Sequence, residues 1–207
     1  MLETVDLNIS YGNESVLANF SCRVEKGTFV CLTGKSGCGK SSLLKSFMGL
    51  TPFTGEINVG GMALNETTAY SIRCRTAYLP QELSFPMDTL RDAAQHIFSL
   101  GTPASYNSSI EMLKGKMQTL GLGVDLLDKR LDEVSGGQRQ RFMLAAIITL
   151  DREILLLDEP TAALDAESRE LVVDLLLKER MPGKTIVAVS HDVEFIQRCD
   201  TVINLEQ

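Results

Sequence analysis

The sequence predicts an α/β fold: a mostly parallel sheet flanked by helices, with an N-terminal antiparallel β subdomain and an inserted α-helical subdomain. Three observations predict it. Two apolar runs, Ile154-Leu155-Leu156-Leu157 and Ile186-Val187-Ala188-Val189, have the continuous hydrophobicity of parallel strands buried on both faces. Strand and helix patterns alternate through the second half of the chain, as crossover connections between parallel strands require. A glycine-rich loop, Gly34 to Ser41, separates an apolar strand from a helix-like stretch.

The elements follow in chain order. Val5, Leu7 and Ile9 recur with period two, as do Phe20, Cys22 and Val24, and turns fall at Gly12-Asn13 and Lys26-Gly27. Gly55 to Val59 adds a further short strand ahead of Gly60-Gly61, completing a β-rich edge around the strand that precedes the glycine-rich loop. Between residues 83 and 134 the period becomes helical, with Ile110, Leu113, Met117 and Leu120 on one face, interrupted by Gly101-Thr102-Pro103 and by Gly121 to Gly123. This segment reads as a helical insert. Beyond it come a helix over 136–150, a strand over 153–158, a helix over 166–180 and a strand over 185–190. A short helix from Asp192 and a strand near Val202 to Leu205 follow. The 207 residues suit one domain, 1–207, with the helical segment inserted in its core.

Hydrophobic residues make up 44% and charged residues 23%, as in ordinary globular proteins. The net charge of −7 argues against nonspecific nucleic-acid binding, so no nucleic-acid partner is expected. Met1 to Asp6 lacks the basic segment of a signal peptide, and the apolar runs fall short of the ~20 residues of a membrane helix. Five scattered cysteines without a C-x-x-C pair fit a reducing cytosol, with Cys22 and Cys31 as small buried hydrophobes. A cytoplasmic chain is expected, and any membrane role would come through a partner.

Gly34-Lys35-Ser36-Gly37-Cys38-Gly39-Lys40-Ser41 fits the pattern G-x-x-x-x-G-K-[ST] at every fixed position. The strand Thr28 to Thr33 precedes it, and Ser42 to Met48 continues as a helix. Gly34, Gly37 and Gly39 let backbone amides curl around phosphates. Lys40 can reach β- and γ-phosphate oxygens, and the Ser41 hydroxyl can ligate Mg²⁺. Such a loop binds a nucleoside triphosphate. Asp158 and Glu159 end the first apolar strand at the sheet edge where α/β proteins place ligands. Asp158 is suited to holding Mg²⁺ through water, and Glu159 to polarising an attacking water. His191 ends the next strand and is placed to sense a γ-phosphate, whereas His96, in the insert, is assigned no chemistry.

Val134-Ser135-Gly136-Gly137-Gln138-Arg139-Gln140-Arg141 joins a good N-cap serine to two glycines at a helix start. Set before the strand ending in Asp158-Glu159, it closely resembles the signature of ATP-binding cassette (ABC) ATPases, and the resemblance spans essentially the whole chain. It implies a P-loop NTPase core and an active ATP hydrolase. Tyr11 matches the adenine-stacking aromatic, and Gln81 the glutamine that touches Mg²⁺ and water. Ala162-Ala163-Leu164-Asp165 matches the dimer-contact loop, and His191 the switch histidine. Val134 stands where leucine is commoner and Ala163 where serine is frequent, and neither touches the chemistry.

The resemblance also implies the assembly. Tyr11, Gly34, Lys35, Ser36, Gly37, Cys38, Gly39, Lys40, Ser41 and Ser42 would hold ATP, with Ser41, Gln81 and Asp158 at Mg²⁺ and Glu159, His191 and Gln81 in catalysis. Ser135, Gly136, Gly137, Gln138 and Asp165 would contact the ATP of a second chain. A homodimer, or a heterodimer with a related ATPase subunit, is therefore expected. The helical insert and the loop Glu82 to Leu90, with Phe85-Pro86, match the surface that receives membrane subunits in transporters. The expected role is to energise transport through separately encoded integral membrane permease subunits, with the chain peripheral on the inner face of the cell membrane. The alternative is a soluble ABC-type ATPase acting on nucleic acid or the ribosome, although no long heptad coiled coil and no second cassette is present.

Overall fold

The computed structural model describes the chain apart from residues 83–86, 100, 102–105, 181–182 and 207 and the side chains of 106–108. Its strands are β1 (Leu2–Tyr11), β2 (Glu14–Val24), β3 (Phe29–Thr33), β4 (Thr54–Val59), β5 (Met62–Ala63), β6 (Thr76–Leu79), β7 (Ile154–Asp158), β8 (Thr185–Val189) and β9 (Thr201–Asn204). Its α-helices are α1 (Lys40–Ser46), α2 (Ala69–Arg75), α3 (Leu90–Ser99), α4 (Tyr106–Thr119), α5 (Gly136–Thr149), α6 (Ala166–Arg180) and α7 (Val193–Gln197). Tight 3-10 turns at Val124–Asp128 and Leu131–Glu133 lead into α5.

Two sheets organise these elements. An antiparallel sheet runs β2-β1-β4-β5, and a parallel one runs β6-β7-β8-β3-β9. The inner strands β3, β7 and β8 are buried almost along their whole length because each face meets its own core. Phe29, Cys31, Leu155, Leu157, Ile186 and Ala188 join the core formed with α3 to α7. Val30, Leu32, Ile154, Leu156, Val187 and Val189 join a second core with α1 and the antiparallel sheet. Burial of a Leu or Val side chain is worth roughly 1.5–3 kcal/mol, so a charge introduced into β7 or β8 is opposed from both faces. This sandwich fixes the ends of β3, β7 and β8 side by side.

Three local expectations change. Val5 is exposed rather than inward, because β1 bulges at Asp6, whose φ is 48°, and the register shifts between Thr4 and Leu7. Thr4 takes the inward position and donates its hydroxyl to the Phe20 carbonyl at 3.3 Å. Cys22 is only partly buried, unlike Cys31, and all five cysteines are free thiols. Helix α2 was not foreshadowed by period, since Ile72 alone among its residues is buried. Ile110, Leu113, Met117 and Leu120 do lie buried together along α4 and its end. Thr102-Pro103 and Phe85-Pro86 fall outside the described residues. No helix among the described residues is long and apolar enough to cross a membrane.

One ionic network ties α4 to the parallel layer. Glu179 of α6 accepts from Lys116 of α4 and, at 2.6 Å, from Lys184 ahead of β8, which also reaches Asp151 at 2.8 Å. Burial pushes the Glu179 carboxyl up, but its hydrogen bonds to the two lysines outweigh that and hold it below the ordinary glutamate value. Glu179→Gln is expected to cost about 2 kcal/mol, discounted for partial exposure, and to lower the melting temperature by about 4–8 °C. A depressed carboxylate pKa stabilises above its unfolded value and loses that contribution as pH falls through the folded one. The gap between native and variant melts should therefore be full at neutral pH and close in acid, below the ordinary value of 4.5.

Candidate active site

A cleft of about 570 Å³ opens at the carboxyl ends of β3, β7 and β8. It is lined by Tyr11, Val16, Ser36, Gly37, Gly39, Lys40, Ser41, Ser42, Gln81, Asp158, Glu159, Val189 and His191. Sites at strand ends of this kind are what a parallel sheet with diverging connections produces.

The loop between β3 and α1 is shaped around Lys40. Its buried ammonium donates to the carbonyls of Gly34 and Lys35, both at 2.7 Å. Gly39 has φ 95° and packs on β2: a Cβ there would lie 2.9 Å from Val16 Cγ1 and 3.2 Å from the Val16 carbonyl. Glycine is required at that position on both counts. Gly37, at φ 83°, would meet nothing within 4 Å, so the loop faces open space where phosphate oxygens can lie. Tyr11 stands at the lip, half exposed, and its hydroxyl donates to Ser42 Oγ at 3.2 Å. The Ser42 and Thr51 hydroxyls, which can donate in return to the phenolate, hold the Tyr11 phenol below its ordinary pKa.

Across the cleft Asp158 is 2% exposed. Its Oδ2 accepts from the Tyr78 hydroxyl at 3.4 Å, while Oδ1 has no hydrogen-bond partner among the described residues. Burial first, then the adjacent Asp158 charge, pushes the Tyr78 phenol up, which keeps it a donor. A buried carboxylate oxygen without a donor is costly, and a cation in the cleft would relieve it. No cluster of three or more His, Cys, Asp or Glu residues forms a closed metal cage among the described residues. The donor set is instead the Asp158 carboxylate, the Ser41 hydroxyl and the Gln81 side-chain amide, the open arrangement suited to a hard cation that shares its shell with phosphates and water.

Glu159 has φ 52°, a left-handed conformation that costs a glutamate about 1–3 kcal/mol and that clusters at functional sites. Its amide donates to the Val189 carbonyl at 3.0 Å, and its carbonyl accepts from Ala162 N at 3.1 Å and Gln140 Nε2 at 3.2 Å. The side chain turns into the cleft, where Oε1 lies 3.5 Å from His191 Nε2. Burial raises the Glu159 carboxyl above the ordinary range, and the opposing attraction of His191 is smaller. The glycine-rich loop, the buried Asp158 carboxylate and the Glu159 carboxyl thus share one cleft.

The family model described as ABC transporter matches residues 17–162 of this chain. The chain belongs to the ABC transporter ATPase family. It is the ATP-binding, ATP-hydrolysing component of such a transporter. It is 32% identical to the zinc transport system ATP-binding protein TroB of Treponema pallidum, over 92% of this chain and 72% of that protein. Identity is 31% to the manganese transport system ATP-binding protein MntA of Synechocystis sp., over 97% of this chain and 79% of that one. A solved dimeric ATP-binding cassette in a post-hydrolysis state, bound to ADP and Pi, superposes with a TM-score of 0.86 at 26% identity. The match covers 99% of this chain and 94% of the cassette. The α/β architecture is thus that of an ABC cassette with its P-loop NTPase core.

Not every residue singled out in the sequence of this ABC ATPase meets in the cleft. Gly34, Lys35 and Cys38 belong to the loop without lining the cavity, and Lys35 donates its amide to Glu206 Oε1 at 2.6 Å. Ser135, Gly136, Gly137, Gln138 and Asp165 lie outside it altogether. Ser135 and Gln138 form a reciprocal capping box, Gln138 N donating to Ser135 Oγ at 3.2 Å and Ser135 N to Gln138 Oε1 at 3.0 Å. Asp165 Oδ1 accepts from Ser168 N at 2.7 Å at the start of α6. Val16, Val189, Tyr78 and Gln140 went unrecognised in the sequence. For Gln140 a signal existed, because a polar residue falls on the helix face that carries Leu144 and Ile147.

Proposed function

We propose that this ABC ATPase holds ATP and Mg²⁺ in the cleft described, closes over them with the Ser135–Gln138 segment of a second chain, and drives permease subunits through that closure and its release. The observation that carries the reading is the Asp158 carboxylate, with one buried oxygen left unpartnered, lining a single cleft with Lys40, Ser41 and Glu159. Ser41, Gln81 and Asp158 would hold Mg²⁺, which neutralises phosphate charge when bound. Tyr11 stacks on the adenine. Amides from Gly34 to Ser42 cradle the phosphates, and Lys40 gives up its two carbonyl contacts for β- and γ-oxygens. Glu159 accepts a proton from the attacking water, and His191 orients Glu159 and the γ-phosphate.

Ser135, Gly136, Gly137, Gln138 and Asp165 serve the partner's nucleotide, which explains their place outside the cleft of their own chain. Residues 1–207 then work as one ATPase domain, with residues 83–134 as the helical subdomain that moves the signature. The chain sits at the inner face of the membrane through its permease partners. Purification of the tagged Glu159→Gln chain from native membranes with ATP tests this assignment. Recovery of polytopic membrane proteins is the expected result. Recovery of a soluble ATP-bound dimer alone, or of ribosomes or DNA, leaves the ATPase and removes the transport role.

A further inference from the structure

Gln140 lies in the second turn of α5, the helix that Ser135 caps. Its side chain is buried, and a buried amide is costly unless its polar atoms are bonded. Its Nε2 donates to the carbonyl of Glu159 at 3.2 Å, across to the end of β7. The same carbonyl accepts from Ala162 N, and the Glu159 amide is held by Val189 of β8. Three elements therefore pin one residue whose φ of 52° a glutamate does not adopt at ease.

The direction of a side chain is set by its backbone angles. If the Glu159 peptide relaxes toward the ordinary region, the Cα–Cβ bond swings and the carboxylate leaves its place beside His191. Of the remaining bonds, that from Ala162 belongs to the turn that would relax with it, and that to Val189 holds the amide rather than the carbonyl. Only the Gln140 bond comes from a separately packed helix.

We propose that Gln140 is a positioning residue for Glu159, and that α5 links its signature end to the base of its own chain. Closure of Ser135–Gln138 on the partner's ATP is thereby felt at the carboxylate that serves the chain's own ATP. This role rests on Glu159 as base and on the signature acting in trans.

Gln140→Met keeps the length and volume of the side chain and removes the donor, while Gln140→Asn keeps the amide and falls one methylene short. For both, kcat is expected to drop about 10- to 100-fold while KM and equilibrium ATP affinity stay within about threefold, the split of a displaced catalytic group. Melting temperature reports folding independently, and the asparagine variant carries the test should the methionine variant fail to fold. In single turnover, adding Gln140→Met to Glu159→Gln should produce no further loss, since the residue acts through Glu159. A folded variant with kcat within twofold of native, a loss shared equally with KM, or a further loss in the Glu159→Gln background would overturn the role. Full turnover in Glu159→Gln alone overturns the base assignment instead, whereas native turnover in Gln140→Met beside an inactive Glu159→Gln overturns only the positioning role.

Discussion

Glu159→Gln is expected to bind ATP as the native chain does, to turn it over about 10²- to 10⁴-fold more slowly, and to accumulate as an ATP-bound dimer. The amide matches the carboxylate in size, so the left-handed backbone and its bonds to Val189, Ala162 and Gln140 persist. What disappears is the capacity to take a proton from water. The substitution also removes a negative charge next to Asp158, a repulsion that helps push the Glu159 carboxyl up. Ground-state binding therefore has no reason to weaken. Phosphate release in steady state gives the turnover, and light scattering with and without ATP gives the dimer. Unimpaired release would remove Glu159 as the base.

Lys40→Ala should weaken ATP binding by about 30-fold or more, the cost of deleting a buried hydrogen-bonded charge. Lys40 is the only lysine or arginine among the described residues that line the cleft, and it faces Asp158 and Glu159. Without it the described lining carries two carboxylates and no fixed positive charge to meet a triphosphate. The loss should grow from AMP to ADP to ATP, because the ammonium is proposed to serve the β- and γ-phosphates. Lys40→Met, which restores apolar volume, separates lost charge from lost packing: both variants should bind ATP poorly. Isothermal titration supplies the affinities, and equal ATP binding by native and variant chains would end the phosphate-loop assignment.

The parts of the site that were legible in the sequence are those in which chemistry is local. Gly34 to Ser41 forms its cradle within one loop, and Asp158-Glu159 follow directly on the apolar strand that presents them. The contacts that escaped join distant segments: Tyr78 reaches Asp158 across 80 residues, and Gln140 reaches Glu159 across 19. No period or motif announces such a pairing before the sheet order is known. Val5 failed for a related reason, since a bulge at Asp6 reverses alternation without changing composition. Helix α2 escaped because it buries one residue and shows no stripe.

The exclusion of Ser135–Gln138 from the cleft has a kinetic corollary. On the proposed trans closure, each nucleotide would be enclosed only while two chains meet, so specific activity in free solution should fall on dilution. Two copies seated on one membrane partner no longer depend on chance encounter, because tethering sets their effective concentration in the millimolar range. A permease then acts as more than the recipient of work. By fixing the spacing and facing of the two halves, it would set how often ATP is hydrolysed, and a shift of its inner surface would throttle hydrolysis without touching a catalytic atom.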